Sequence, residues 1–438
     1  MKTELPPSQD AKGLKLVFRA LSHRNYRLFF GGQSISLIGT WMQQIAVHWL
    51  VYRLTQSAFL LGLVGFTSRI PTFLLASFAG VLADRWNRHR ILVVTQTLAM
   101  VQALIFALLV LTETIAVWHI ISLSLLLGLI NALDIPTRQS FVSDMLEKKE
   151  DLGNAIALNS SMVNGARLVG PSIAGILIAT VGEGMCFLLN GISFIAVIMS
   201  LLAMKITAKK RETQNTHVWQ GLKEGYTYAF GFAPIRSVLL LLALVSLMGM
   251  PFTILMPIFA GQILHGGPQT LGFLLGATGV GALAGALFLA SRRSVLGLGR
   301  IIAIASSIFG IGLIAFSLSR LFWLSLALMA FTGFGMMVNL TSSNTILQTI
   351  SEEDKRGRVM SFYTMAFMGM VPFGSLLAGG LASQIGAPHT IMLSGICCIV
   401  GSFMFARKLP SLREIASPIY VKKGIISEIT SGIQTGRE

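Results

Sequence analysis

The chain has 438 residues, of which 53% are hydrophobic and only 12% are charged. A soluble globular protein carries roughly 25% charged residues, so this chain has too little polar surface to meet water on every side. Its formal net charge of +16 raises the question of nucleic-acid binding, but the cations are confined to short segments between long apolar blocks. The composition therefore predicts an integral membrane protein with no nucleic-acid partner.

The apolar blocks follow one another from residue 27 onward, and each approaches the roughly 20 helical residues that a bilayer core requires. They predict twelve transmembrane helices, at 27–52, 59–83, 91–111, 116–137, 153–180, 184–204, 236–262, 270–290, 300–318, 321–345, 358–384 and 389–407. The predicted fold class is all-α integral membrane, with two six-helix halves separated by the longest polar stretch.

This division predicts five regions. They are an N-terminal cytoplasmic segment (1–26), an N-terminal six-helix bundle (27–204), a cytoplasmic linker (205–235), a C-terminal six-helix bundle (236–408) and a cytoplasmic C-terminal tail (409–438). With these spans, all but four of the 34 Lys and Arg residues fall in loops and termini on one side of the membrane. Cytoplasmic loops carry an excess of Lys and Arg. We therefore expect a multi-pass protein of the cytoplasmic (inner or plasma) membrane with both termini in the cytoplasm.

The first predicted helix carries a polar stripe on an otherwise apolar surface. At 100° per residue, one face holds Gln33, Ser36, Thr40, Gln44 and His48. Lipid does not tolerate such a stripe, so we expect it to line a cavity that binds substrate. Hydrogen bonding between helices is the alternative explanation for any single member.

The loop after the second helix combines a carboxylate with several cations. It contains Gly80, Asp84, Arg85, Arg88 and Arg90 within eleven residues. An unpaired carboxylate at the membrane edge is costly, so Asp84 needs an Arg partner or a helix N-terminus. Asn87 is able to adopt the left-handed conformation that usually favours glycine, and we expect it to do so in this turn. A plain cation-rich loop is the alternative reading.

This loop resembles the signature between the second and third helices of the major facilitator superfamily (MFS), with Asn87 where the family usually has glycine and His89 where it usually has a cation. In that family the loop latches the two halves on the cytoplasmic side. The resemblance implies that Asp84 meets the start of the eleventh helix, near Gly357–Val359, and Arg138 of the fourth helix. It implies the MFS fold for the whole chain.

Ionisable residues inside a membrane are functional candidates by default, and three stand out. Arg69 and Arg167 are the cations well inside predicted spans, and Arg167 shares a helix face with Asn164. They predict a site for an anionic substrate group, with a structural pair to a carboxylate or to helix carbonyls as the alternative. Asp134, toward the cytoplasmic end of the fourth helix, is the candidate proton carrier, because proton coupling is implied by the MFS resemblance.

The fifth helix contains closely spaced small residues and a proline. Gly165, Gly170 and Gly175 allow helices to approach closely, and Pro171 bends the helix. With Arg167, this string resembles the fifth-helix antiporter motif that is associated with MFS exporters, although Ala174 stands where a glycine is usual. Close packing with a kink is the alternative.

The same segment is repeated in the second half. At a constant offset of 204, five glycines of one segment meet five of the other: Gly153, Gly165, Gly170, Gly175 and Gly182 align with Gly357, Gly369, Gly374, Gly379 and Gly386. Similar acidic-basic loops precede both segments. We interpret this as a duplication of six helices, which in MFS carriers places the substrate site between the halves.

The N-terminal sequence (18–29) and the segments 134–139 and 356–360 resemble the MFS branch of enterobactin-type siderophore exporters. The resemblance implies proton-coupled efflux of a siderophore, drug or other amphipathic metabolite by a secondary active transporter that uses alternating access. We expect a small-molecule substrate, contact with membrane lipid, coupling to protons, a monomer, and no cofactor or metal.

Other functions stay open at this point. A lipid or lysophospholipid flippase or an importer on the same fold, and a non-transporting membrane sensor, are the alternatives. An enzyme is disfavoured because the seven histidines are scattered, and ATP-driven transport is disfavoured because the chain contains no Walker-type phosphate loop.

Overall fold

The computed structural model describes residues 18–75, 86–205, 218–292 and 294–423, and all regular structure in these ranges is helical. The N-terminal half comprises α1 (Arg24–Thr55), α2 (Ala58–Leu75), α3 (Arg88–Leu111), α4 (Val117–Phe141), α5 (Leu152–Val181) and α6 (Glu183–Leu202). The C-terminal half comprises α7 (Ala233–Ile263), α8 (Pro268–Ala290), α9 (Leu298–Leu318), α10 (Phe322–Ile350), α11 (Arg356–Ile385) and α12 (Ala387–Lys422). The predicted all-α fold with two six-helix halves is confirmed.

Within the described residues, eleven helices are long and apolar enough to cross a membrane, and α1 is not among them. The 32 residues of α1 correspond to about 48 Å of helix, which exceeds the thickness of the hydrocarbon core. Its length therefore suits a membrane span, whereas its polar residues require shielding from lipid. Packing against α5 and α6 provides part of that shielding.

Two aligned glycine pairs have matching structural roles in the two halves. Gly182 and Gly386 end α5 and α11 with φ of 85° and 82°, a conformation that side-chain-bearing residues rarely adopt. Gly170 and Gly374 each lie against the first helix of their own half, on α1 and α7 respectively. These shared conformations and contacts support the duplication.

The third aligned glycine pair, Gly175 and Gly379, makes contacts between the two halves. We call the end of the bundle that holds the α1–α2 and α5–α6 loops the outer end, and the opposite end the inner end. Near the outer end, a Cβ added to Gly175 would lie 2.9 Å from Cα of Gly272, and one added to Gly379 would lie 2.8 Å from Cα of Gly62. Helices α5 and α8, and α11 and α2, therefore cross at backbone contact, and this closes the outer end.

The inner end is more open. Gly153 and Gly357, at the inner ends of α5 and α11, have nothing within 4 Å of an added Cβ. Across the described ranges, no hydrogen bond or ion pair joins the halves at this end, whereas the Tyr52 ring of α1 lies against Gly261 of α7 at the outer end. In the described ranges, the closest backbone contacts between the halves therefore lie toward the outer end.

Each half also has a short segment that docks beside the start of its fifth helix. In the first half, the turn Arg19–Ser22 is held where the Ala20 N–H donates to Asn154 Oδ1 at 2.8 Å. In the second half, the linker helix (Val218–Gly231) is held where Arg358 Nη1 donates to Glu224 Oε2 at 2.7 Å. These positions also correspond at the offset of 204, so the duplication extends to the docking segments.

Helix α12 continues beyond its membrane span. Its 36 residues make about 54 Å of helix, and Pro410 and Pro418 lie within the extension. Leu412 and Ala416, four residues apart, are buried against the bundle. The first part of the predicted tail (409–438) is therefore an ordered amphipathic helix, and residues 424–438 lie outside the described ranges.

Candidate transport site

The predicted stripe on α1 is divided by the fold. Gln33, Ser36 and His48 are buried, Gln44 is half-buried and Thr40 is exposed. The Thr40 hydroxyl donates to the Ser36 carbonyl at 2.9 Å, while the buried Ser36 hydroxyl has no partner. The stripe therefore combines groups that face open space with groups enclosed by neighbouring helices.

Arg69 lies at an interruption of α2. Regular helix stops at Thr67 and resumes at Ile70, because Pro71 has no N–H to bond the carbonyl of Thr67 and its ring crowds the preceding turn. The helix predicted at 59–83 is therefore interrupted at Ser68 and Arg69. The half-buried Arg69 side chain has no hydrogen bond or ion pair within the described residues.

Arg167 stacks on an indole of α1. Its Cζ lies 5.1 Å from the ring centroid of Trp41, and its buried Nε has no hydrogen-bond partner. Gly170 creates this arrangement, because an added Cβ would lie 2.6 Å from Cβ of Trp41. Asn164, one turn away, donates to the Ser160 carbonyl at 2.9 Å and is half-buried. Arg167 is thus held by a cation–π contact and, among the described residues, has no carboxylate partner.

The remaining members of the fifth-helix motif pack differently from one another. Gly165 is exposed and an added Cβ there would meet nothing within 4 Å. The Pro171 carbonyl faces Gly272 of the other half, where an added Cβ would lie 2.6 Å from it. With the Gly175 contact described above, the outer part of the motif forms the α5–α8 crossing, and the inner part faces open space.

Asp134 is buried and fully coordinated. Its Oδ2 forms an ion pair with Arg138 Nη2 at 3.0 Å, and its Oδ1 accepts from Thr95 Oγ1 at 2.9 Å and from Gln96 Nε2 at 2.7 Å. Arg138, one turn along α4, is 22% exposed. The carboxylate therefore connects α3 to α4, and a proton added to it would compete directly with Arg138.

The predicted latch is described only in part. Gly80, Asp84 and Arg85 lie outside the described residues, so the expected contact of Asp84 is not seen. Arg88 is buried, donates to the Ser140 carbonyl at 3.2 Å and pairs with Asp144 at 3.3 Å. Arg90 is exposed.

The expected left-handed Asn87 is wrong. This residue is extended, with φ −69° and ψ 107°, and its side chain accepts from the Arg90 N–H at 3.2 Å. An Asn at a helix N-cap adopts this geometry because it satisfies a free backbone donor. Asn87 therefore starts α3.

Sequence reasoning missed a buried polar network in the N-terminal half. Asn190 Nδ2 donates to Gln43 Oε1 at 2.7 Å, Gln43 Nε2 donates to Gln102 Oε1 at 3.0 Å, and Gln102 Nε2 donates to the Leu123 carbonyl at 3.1 Å. The network joins α6, α1, α3 and α4. Gln43 and the predicted Gln44 are adjacent in sequence, so composition alone does not reveal which of them is sequestered in the bundle.

Polar residues of α10 were also missed. Asn339, Ser342 and Ser343 are buried on one face, whereas Asn344 is half-buried and Gln348 is exposed on the opposite face. Gln348 Nε2 donates to Asn344 Oδ1 at 2.5 Å. The second face supplies neutral amide groups near the inner end.

Together these features describe two six-helix halves that meet closely at the outer end, with two cations inside the N-terminal half that have no carboxylate partner among the described residues. A family model described as transmembrane secretion effector matches residues 17–422. The chain belongs to this family of MFS transporters. It is a multi-pass membrane transporter.

Relatives of this transporter match along most of its length. It is 26% identical to the staphyloferrin A transporter of Staphylococcus aureus over 392 residues, covering 88% of this chain and 97% of that one. It is 25% identical to the multidrug efflux pump Tap of Mycolicibacterium fortuitum over 382 residues, covering 85% of this chain and 92% of that one.

A solved structure matches the fold at lower identity. An inward-facing, unoccupied bacterial homologue of the human lysosomal transporter Spinster superposes with a TM-score of 0.66 at 13% identity, covering 95% of this chain and 99% of that one. At this identity the likeness concerns the fold alone. The MFS fold expected from the loop signature is confirmed.

Proposed function

We propose that this transporter exports a small amphipathic molecule bearing an anionic group, by alternating access coupled to protons. The observation that carries the proposal is the pair of membrane-embedded cations, Arg69 and Arg167, which have no carboxylate partner among the described residues. An uncompensated cation inside a membrane is costly, and a substrate anion offsets that cost when it binds.

The relatives support both the direction and the substrate class. One is named for a siderophore, staphyloferrin A, and another as a multidrug efflux pump. The fifth-helix motif of Gly165, Arg167, Gly170, Pro171 and Gly175 favours export through its resemblance to the antiporter motif. A polar stripe on α1 with aromatic Trp41 beside it suits an amphipathic molecule with both ring and polar groups.

Asp134 is the proton carrier in this proposal. Its carboxylate is bonded on both oxygens and paired with Arg138. Protonation removes the charge that holds Arg138, so the guanidinium becomes free to meet another carboxylate, for which the latch residue Asp84 is the expected candidate. Proton binding would then be linked to the contact that closes the inner end.

The placement in the membrane follows from charge. Since nearly all Lys and Arg residues lie in segments at the inner end, we place that end, with both termini, in the cytoplasm. The protein then resides in the cytoplasmic (inner or plasma) membrane and opens toward the cytoplasm. We place it there as a monomer, because both halves of the interhelical space come from one chain.

The test is substrate-dependent proton movement in proteoliposomes. The panel contains anionic siderophores, neutral and cationic drugs, and lysolipids, each tested with wild type, Asp134→Asn and the exposed-carboxylate control Asp354→Asn. We expect an anionic compound to elicit proton flux in wild type and Asp354→Asn, and the flux to fall at least about tenfold in Asp134→Asn, because no other group at that site exchanges a proton.

Each result that differs from this expectation would contradict a specific part of the proposal. Transport without proton flux would remove the coupling, and flux that survives Asp134→Asn would remove Asp134 as the carrier. Transport of lysolipids alone would favour the flippase reading. Response only to cationic compounds would contradict the anionic substrate class, since Arg69 and Arg167 repel them.

A further inference from the structure

A second cationic site lies apart from the interhelical cations, where three helix ends of the C-terminal half converge. A cleft of about 360 Å³ is lined by Thr345, Gln348 and Thr349 of α10, by Arg356 at the start of α11, and by Lys423 at the end of the α12 extension. Its volume lies within the range of small-molecule sites, roughly 300–1,000 Å³. The α12 extension thus completes a concave site at the inner end.

The cleft has two cations and no carboxylate in its lining. The nearest acidic group described is Glu353, whose Oε1 lies 4.0 Å from Arg356 Nη2 and whose side chain is 91% exposed. An ion pair of that length with a solvated partner contributes little. Among the described residues, the positive charge of the cleft is therefore largely uncompensated.

Some hydrogen-bond donors of the cleft are already bonded to the protein, and others are available to a ligand. Lys423 Nζ donates to the carbonyls of Thr349 and Ser351 at 2.6 and 3.0 Å, which leaves one of its three protons available. The Nε of Arg356 is buried without any hydrogen-bond partner. The Arg356 side chain as a whole is 41% exposed, so the remainder of its guanidinium can donate to a ligand acceptor.

The neutral lining narrows the ligand class. The hydroxyls of Thr345 and Thr349 already donate to carbonyls of their own helix, so they have no proton to offer. Gln348 donates one amide proton to Asn344 and keeps the other. A ligand here must accept from Arg356, Lys423 and Gln348, which is the requirement of an oxyanion.

We propose that this cleft binds a phosphate-type oxyanion, and that it is distinct from the transport site. The oxyanion comes either from the headgroup of an anionic lipid in the inner leaflet or from a soluble phosphate. Arginine and ammonium donors together bind phosphate oxygens through charge-assisted hydrogen bonds. An occupied cleft ties α10, α11 and α12 together at the inner end.

Direct binding to the purified full-length protein in neutral detergent tests this. One arm measures phosphatidylglycerol binding by native mass spectrometry, with phosphatidylcholine as the uncharged-headgroup reference, and the other measures inorganic phosphate by calorimetry. The variants are Arg356→Gln and Lys423→Gln. Arg413→Gln is the matched control, since Arg413 is an exposed cation of the same extension that does not line the cleft.

We expect the Kd of the bound probe to rise about tenfold in each cleft variant, as for loss of a charged hydrogen bond, and to stay unchanged in Arg413→Gln. Selective loss of phosphatidylglycerol binding identifies a lipid headgroup, and selective loss of phosphate binding identifies the soluble anion. Absence of binding to wild type, or equal Kd values in all variants, overturns the proposal.

Two features of this experiment allow its result to be interpreted unambiguously. Lys423 is exposed at a helix end, so Lys423→Gln tests the cleft even if Arg356→Gln does not fold, and Arg356→Lys should retain part of the affinity. Because binding is measured without transport, failure here leaves the export proposal intact, and loss of export leaves this site untouched.

Discussion

Gly175 of the N-terminal half meets Gly272 across the interface, and Gly379 of the C-terminal half meets Gly62 in the same way. The charges inside the membrane do not follow this symmetry. At the offset of 204 that aligns the glycines, Arg167 corresponds to Val371 and Asp134 to Val338.

The C-terminal half has fewer charged residues at this membrane depth. Helices α8 and α10 contain no Asp, Glu, Lys or Arg, and α10 instead places neutral groups such as Asn339, which donates to Ser306 at 2.5 Å. The N-terminal half holds Arg69, Arg167 and Asp134. The two halves therefore share their glycine contacts at the interface but differ in the placement of charge inside the membrane.

The largest expected effect concerns the shared packing. Gly379→Val should reduce transport by at least about tenfold, because a side chain at a backbone contact costs roughly 1–3 kcal/mol of overpacking and opens the outer end. Gly175→Val should do the same. Transport assays combined with labelling of cysteines placed at the outer end measure both consequences.

The chain offers matched controls for these variants. Gly380 and Gly153 have nothing within 4 Å of an added Cβ, so Gly380→Val and Gly153→Val should transport within about twofold of wild type. Equal losses in all four variants would mean that general helix destabilisation, and not the crossing, causes the effect. A loss of transport on substitution in one half alone would show that the two helix crossings do not contribute equally to closing the outer end.

An intermediate effect concerns the charge that the halves do not share. Arg167→Gln should raise KM for an anionic substrate about tenfold, as expected for the loss of one charge-assisted contact, and should leave a neutral substrate unaffected. Initial rates of uptake into inverted vesicles give both values.

The counterpart substitution sharpens the contrast. Val371→Gln, at the corresponding position of the other half, should change KM for the anionic substrate by less than about twofold. A similar rise in both variants would indicate that the two positions contribute through packing, and the asymmetry argument would then be lost.

The smallest effect concerns the docking segments at the inner end. A hydrogen bond from His23 Nε2 at 2.8 Å, together with the Arg19 ion pair, holds the pKa of the Asp151 carboxyl below its usual range. A lowered folded-state pKa stabilises the protein above the unfolded value of about 3.9 and loses that contribution as pH falls through the folded value.

Asp151→Asn should therefore cause a small drop in melting temperature at pH 7 that persists to about pH 5 and shrinks below about pH 4. Thermal melts of wild type, Asp151→Asn and the exposed control Asp354→Asn across this range measure it. A difference independent of pH would show that the Asn acts through packing and not through the charge.

Much of the fold was predictable because the relevant signals are local. Apolar runs located most of the described helix ends within about five residues. Two departures are the interruption of α2 at Pro71 and the continuation of α12 from its predicted end at 407 to Lys422. The aligned glycines predicted a duplication, and Gly182 and Gly386 then proved to share one positive-φ conformation. The candidate site was less predictable, since residue type marks Gln43 and Gln44 equally although only Gln43 joins the buried network.

By itself, the sequence determined the membrane class, the number of helices, their duplication and the family signature, because hydrophobic length, charge and glycine spacing are properties of contiguous segments. Only the tertiary structure decided which partners the polar groups have. It paired Asp134 with Arg138, Thr95 and Gln96, stacked Arg167 on Trp41, and brought Lys423 to Arg356. These contacts join helices far apart in the chain, and packing geometry, which no local pattern encodes, selects among them.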